Sequence, residues 1–189
     1  MTATTPQVRT ESLPASGTWT IDPSHSSVEF VVRHLMVAKV RGRFSEFAGT
    51  IHVGDTPEAS SVEVSIAPAS ITTGDPQRDG HLQSADFFDV EQYPAIGFRS
   101  TAVRPVKGER YAVDGELTVH GVSKPVTLDL EYQGSITDPF GNDKAVFSAS
   151  TEIDREDWGL TWNQSLETGG VLVGKKAKIE IEVEAVHNA

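Results

Sequence analysis

Chemistry-bearing side chains gather in three places along this chain. Asp22, Ser24 and His25 supply the residue types of a nucleophilic triad, in which a hydroxyl attacks, an imidazole takes its proton and a carboxylate orients the ring. Triads are assembled in space from distant segments, however, and the run DPSH reads more simply as a turn entering a strand, with Asp22 and Ser24 bonding local backbone. His25, His34, His81, His120, Asp79 and Asp86 are the types that ligate metals. No two histidines stand at the close spacing of an HExxH helix, so no metal site and no cofactor are expected. His34 falls on the apolar face of its strand, where two readings stay open: a hydrogen-bonded core histidine, or one polar group aimed into a cavity.

Arg78, Asp79 and His81 form the densest polar cluster. An acidic residue beside an arginine makes a poor anion site, so Arg78 and Asp79 are expected to serve as structural ion-pairing groups. Arg33, Lys39, Arg41 and Arg43 gather in one hairpin of an otherwise acidic chain, on the parity opposite the apolar set. Their default role is a solvated outer face; close to an opening, they would attract an anionic head group.

The elements that must position these groups are nearly all strands. Val28, Phe30, Val32, His34 and Met36 alternate with Ser27, Glu29 and Arg33, the pattern of a half-buried strand. Val40, Gly42 and Phe44 lie on one parity and Phe47, Gly49, Ile51 and Val53 on the other, which calls for a β-bulge near Ser45 or Glu46. Similar alternation recurs from Val62 to Ile66, Ile96 to Ala102, Val113 to Val119, Val126 to Tyr132, Phe147 to Ile153 and Ala177 to Val183. Between these, Ser70–Phe98 is the one substantial helical candidate. Asp75 is an N-cap, Pro76 fits the first helical position, and Gly80 weakens the helix by about 1 kcal/mol, which favours a short or broken one.

About eight half-buried antiparallel strands joined by short turns fit an up-and-down barrel or a sandwich. Glycines within strands (Gly42, Gly49, Gly97, Gly115) favour the barrel, whose closure needs sharp coiling. A barrel of this size is either filled by its own side chains or holds one small ligand. Phe30, Phe44, Phe87, Phe98 and Trp158 serve as core filling or cavity lining.

The 189 residues suffice for one well-buried core, and a formal charge of −11 repels phosphate backbones and anionic lipid headgroups, which argues against a nucleic-acid partner and against a membrane-surface role. There is no cysteine, so disulfides, thiolate metal sites and cysteine nucleophiles are excluded. Met1–Ser16 lacks the pattern of a secretory signal and reads as a disordered leader, with a single domain over 17–187; a cytoplasmic protein is expected. No apolar run is long enough to span a bilayer, so stable membrane insertion is not expected.

Four segments together carry a resemblance: WTIDPSHSSVEFVVRHLMVAKVRGRF (Trp19–Phe44), SITTGDPQRDGHLQSADFFDVEQYPAIGFRST (Ser70–Thr101), GELTVHGVSKPV (Gly115–Val126) and IDREDWGL (Ile153–Leu160). In this order and spacing the chain resembles the YceI-like family of lipid-binding proteins, also called polyisoprenoid-binding. The resemblance implies an all-β fold, an eight-stranded antiparallel lipocalin-like barrel with a short helical lid or plug around residues 75–90. It also implies an apolar channel for an isoprenoid or other long-chain amphiphile, and a homodimer. The expected function is non-enzymatic carriage or sequestration of such a lipid. The residues expected to bind it are Phe30, Val32, His34, Phe44, Phe98, Leu117, Val119 and Phe147, with Leu82 and Phe87 at the lid. Two alternatives remain: a metal- or histidine-assisted enzyme using His34, His81 or His25, and a dimeric interaction module with a filled barrel.

Overall fold

The structure is a computed structural model that describes residues 13–188. Among the described residues eleven strands run in chain order with one α-helix: β1 (Gly17–Ile21), β2 (Ser27–His34), β3 (Ala38–Phe44), β4 (Phe47–Val53), β5 (Ser61–Ile66), β6 (Ile71–Thr72), α1 (Pro76–Gln83), β7 (Ile96–Lys107), β8 (Arg110–Val119), β9 (Val122–Thr137), β10 (Asp143–Asp154) and β11 (Val173–His187). All pairings are antiparallel, and the ring closes because β11 pairs with β10 along one edge and with both β1 and β2 along the other. β1 and β2 act as successive halves of one long strand, broken at Asp22–Ser26, and β3 and β4 as halves of another. The result is the expected closed eight-stranded barrel.

The parity change between Phe44 and Phe47 has a visible cause. Ser45 and Glu46 leave the ladder there, and their amides are taken up by the Ser70 carbonyl (3.3 Å) and hydroxyl (3.0 Å). The strand therefore bends with its polar groups still satisfied. In-strand glycines have a further role besides coiling. A Cβ on Gly42 would sit 2.2 Å from the Phe30 ring, so the missing side chain lets that ring lie flat across the neighbouring strand.

β3 has a strand partner on its β2 side only, apart from two residues paired with β6. The segment 67–95 covers the barrel beside this free edge. Asp75 caps α1, accepting from the Gln77 and Arg78 amides at 3.0 and 3.3 Å, and Pro76 occupies the first turn. The helix is shorter than the expected lid of 75–90. Gly80 does not break it; Ser84 ends it by donating both its amide (3.1 Å) and its hydroxyl (2.7 Å) to the His81 carbonyl. Turns then carry the chain through Phe87 and Phe88 to Tyr93.

Two apolar clusters divide the interior. At the end where β1, β4 and the C-terminus meet, Trp19, Val53, Tyr111, Tyr132, Ala145, Phe147 and Ala185 close the barrel. Toward the opposite end, Val28, Phe44, Ile71, Ile96, Val119, Trp158 and Leu160 form the second cluster, with Phe30, Leu82 and Phe88 packed against it. The expected leader ends earlier than Ser16: Leu13 packs on the first cluster, Pro14 is buried, and Trp19 Nε1 donates to the Ala15 carbonyl at 3.0 Å. The remainder of the leader, residues 1–12, lies outside the described residues. Among the described residues no helix is long and apolar enough to cross a membrane.

Candidate functional site

The alternation of β2 and β3 turns Val28, Phe30, Val32, Val40 and Phe44 inward, and α1 with the turns after it lays Leu82, Phe87 and Phe88 across them. Together with Leu117, Val119, Leu160 and Ile179 they enclose a cavity of about 720 Å³. That is several times an engineered cavity of about 150 Å³ that binds benzene, and falls within the range of small-molecule sites. A second chamber of about 170 Å³ lies deeper, lined by Ile21, Val64, Phe98, Val103, Val113, Leu128, Phe147 and others. Val28, Ile66, Leu117 and Ile179 line both, so these four form the waist between the chambers.

Of the ten residues named from sequence, Phe30, Val32, His34, Phe44, Leu82, Phe87, Leu117 and Val119 line the large cavity. Phe98 and Phe147 line the small one instead. Their strands point them inward as expected, but at a depth beyond the waist. Phe87 is 6% exposed and packs against His81 (ring centroids 5.2 Å) and Trp162 (5.5 Å). His81 meets Trp162 edge-on at 4.5 Å and bonds Asp86 at 2.9 Å. A cap of two aromatics and one imidazole therefore sits at the mouth.

Most polar groups of the cavity stand at that mouth, where Arg33, His34, Thr73, Asp75, Gln77 and Arg78 border it; Glu29 and Arg155 are further charged residues of its wall. The expected pairing of Arg78 with carboxylates is corrected here. Arg78 donates through Nε to the Thr73 hydroxyl (2.7 Å) and through Nη2 to the Thr73 carbonyl (3.0 Å). Asp79 instead accepts from the Thr73 amide (2.8 Å) and hydroxyl (2.6 Å). Thr73 thus organises both charges, and Arg78 has no ion pair among the described residues. The His34 imidazole is half-buried, lines the cavity and has no hydrogen-bond partner among the described residues.

Among the lining residues not named from the sequence, one is a buried charge. Arg155, in the IDREDWGL segment, is 5% exposed and contributes to the cavity wall. Its guanidinium donates to the Gly174 carbonyl at 2.9 Å, to the Leu160 carbonyl and to the Val173 carbonyl at 3.4 Å, and lies 5.9 Å from the Phe87 ring centre. Burial lowers its pKa, with Glu156 and Asp154 opposing that shift. Trp158 three residues on is anchored by its Nε1, which donates to the Leu117 carbonyl at 2.9 Å. An arginine opening an acidic 3-10 turn (Arg155–Trp158) gives no sign in sequence that it turns inward.

The other chemical candidates lie elsewhere. His25 Nδ1 is 2.8 Å from Asp22 and 3.6 Å from Glu184, while Ser24 contributes its amide to Asp22 at 2.9 Å, which is turn chemistry. The bond to His25 is the main cause of a lowered Asp22 pKa. Asp22, His25 and Glu184 are close enough to share an ion, but His25 is exposed, Lys144 already holds Glu184 at 2.6 Å, and none of the three lines either chamber.

Comparison with known proteins places this geometry. The model of the YceI-like domain matches residues 19–185. A UPF0312 protein of Staphylococcus aureus strain N315 is 38% identical over 169 residues, which is 88% of this chain and 95% of that protein. Among solved structures, the Campylobacter jejuni YceI protein is 31% identical with a TM-score of 0.71, covering 83% of this chain and 90% of its own. BcnA of Burkholderia cenocepacia shares the fold at 22% identity and a TM-score of 0.77, over 87% and 98% of the two chains. A polyisoprenoid binding domain from Saccharophagus degradans does so at 15% identity and a TM-score of 0.69, over 90% and 98%. The barrel with its capped, hollow outer half belongs to a chain of the YceI-like domain family.

Proposed function

We propose that this protein is a non-enzymatic binder of an isoprenoid or similar long-chain amphiphile, holding the hydrocarbon in the outer chamber with the polar end at the mouth, for carriage or sequestration. The observation that carries this reading is the 720 Å³ cavity, lined mainly by apolar side chains with most of its polar groups at the rim. Each buried methylene contributes about 0.8 kcal/mol, so a few isoprene units suffice for useful affinity. An apolar tube separates chains by girth and length, and one methylene is worth only about 1–3 kcal/mol, so specificity is loose. His34 and Arg78 at the rim supply hydrogen-bond donors for a head group. The Saccharophagus domain, described as polyisoprenoid binding, supports the choice of ligand class through a shared fold.

Native mass spectrometry of gently purified protein, followed by solvent extraction, tests the reading. A co-purifying lipid, or uptake of added prenyl lipid at one per chain, is expected. A barrel that is empty and also ignores prenyl lipids overturns it. Metal analysis after desalting, together with His34→Ala, separates binding from a histidine-assisted reaction: stoichiometric metal, or substrate turnover lost with His34, would favour the enzyme.

A further inference from the structure

The β2–β3 hairpin ends in a feature that the barrel itself does not need. Leu35, Met36 and Val37 are 47, 55 and 79% exposed, three consecutive apolar side chains in water. The turn is closed by the Val37 amide on the His34 carbonyl (3.2 Å), and its two central residues have positive φ, 52° at Leu35 and 64° at Met36. Two central residues with positive φ are the mark of the type I′ hairpin turn, which suits Asn-Gly and is strained for bulky side chains. Leucine and methionine here thus carry two costs, backbone strain and apolar exposure, and neither contributes to folding. Other large exposed hydrophobics, Val106 and Phe140, stand singly on hairpins at the opposite end of the barrel, and Phe140 lies between Asp138 and Asp143.

Charge singles out the same hairpin. Arg33 and Lys39 flank the turn, exposed and without an ion pair among the described residues, and Arg43 continues the outer row beyond Arg41, which is paired with Glu180 at 3.2 Å. The tip leans on the loop before β11: Leu35 donates its amide to the Leu172 carbonyl (2.8 Å), and a Cβ on Gly170 would sit 3.2 Å from Met36. That loop brings one acidic side chain, Glu167, and the start of α1 brings Asp75 and Asp79, whose carboxylates are occupied by the helix cap and by Thr73. Arg33, His34, Leu172 and Val173 also border the large cavity, so the tip stands at its mouth.

We propose that the Leu35–Val37 tip docks on the surface of an anionic lipid bilayer. The three apolar side chains enter the headgroup boundary while Arg33 and Lys39 meet lipid phosphates, the combination by which interfacial segments bind reversibly. The strongly acidic remainder of the molecule is repelled by the same surface, which orients the barrel with its mouth toward the membrane and limits residence. Docking is independent of what the cavity holds, though it places the opening where a hydrocarbon chain can leave a bilayer without crossing water.

Co-sedimentation with vesicles of phosphatidylglycerol and phosphatidylcholine, against pure phosphatidylcholine, tests this on the full chain. Wild type is expected to bind the anionic vesicles, and binding is expected to weaken as salt rises. The double variant Leu35→Asn with Met36→Gly suits the turn, so it is expected to keep or raise the melting temperature while binding falls about tenfold. Lys39→Glu is expected to lower it similarly at low salt. Equal binding to both vesicle types, no binding by wild type, full binding by the double variant, or self-association through the tip seen in sedimentation velocity would each overturn the proposal. Lipid content measured on the same samples keeps a failure of docking distinct from a failure of the lipid-binding reading.

Discussion

Arg155 shows most sharply what a single side chain decides here. Three carbonyls from the Leu160 loop and the start of β11 converge on one buried guanidinium. Replacing it by methionine keeps the bulk but takes the side-chain donor from the Leu160 and Gly174 carbonyls, while the Val173 carbonyl keeps the Asn163 amide at 2.7 Å, and a buried unpaired polar group costs about 1–3 kcal/mol. Arg155→Met is therefore expected to lower stability by about 2–4 kcal/mol in urea titration; a loss below half a unit would show that the carbonyls find other donors. On the outer face, Asp114 receives both Nε (2.8 Å) and Nη2 (3.0 Å) of Arg104 and the Thr127 hydroxyl (2.7 Å), which hold its pKa down to about 2. A folded-state pKa below the unfolded value contributes stability above the unfolded pKa, lost as pH falls toward the folded one. The contribution is thus present above about pH 4 and fades between about pH 4 and 2, and exposure to solvent keeps it small. Arg104→Met is expected to raise the Asp114 pKa in a carboxyl NMR titration and to shift acid unfolding to higher pH. An unmoved Asp114 pKa would mean that Thr127 alone sets it.

At the scale of elements, the segment from Ser70 to Phe98 is the part on which the site depends. Its N-cap and first-turn proline were legible because they are local rules, read from neighbouring residues. Its end was not, since Ser84 stops the helix by bonding back to His81 rather than by any breaker residue. The pairing expected of Arg78 with a carboxylate failed for a related reason: Thr73, five residues away, offers both a hydroxyl and a carbonyl once β6 places it alongside. Phe87 seals the mouth from this segment against His81 and Trp162. Phe87→Ala is expected to speed the loss of bound lipid severalfold, followed by dilution and extraction, with a stability loss below the 3–5 kcal/mol or so typical of a core phenylalanine. Retention and melting temperature falling together would make Phe87 ordinary core. The neighbouring hairpin tip at Leu35–Val37 was hidden differently: Met36 continues the inward alternation of β2 in sequence, but the chain turns at His34 and leaves it outside.

For the whole molecule, the division into a filled half and a hollow half governs what can be bound. Leu117 stands at the waist of both chambers. Leu117→Ala is expected to join them at a cost of about 2–5 kcal/mol in stability, and to shift the preference among competing prenyl lipids toward longer chains in native mass spectrometry. An unchanged preference would show that the inner chamber takes no part. The sequence by itself determined the strands, their inward faces, the bulge at Ser45–Glu46 and the cap of the helix, because alternation, capping and turn chemistry act between residues near in sequence or on one face of a strand; strand glycines favoured a barrel over a sandwich, and the eight-stranded closure was implied by the family resemblance. Only the tertiary structure decided where the space lies. Trp19, Tyr111, Tyr132 and Phe147 come from four different strands to fill one end, while Phe30 and Phe44 line an opening at the other. Volume is what remains after distant side chains converge, and no local pattern records that sum.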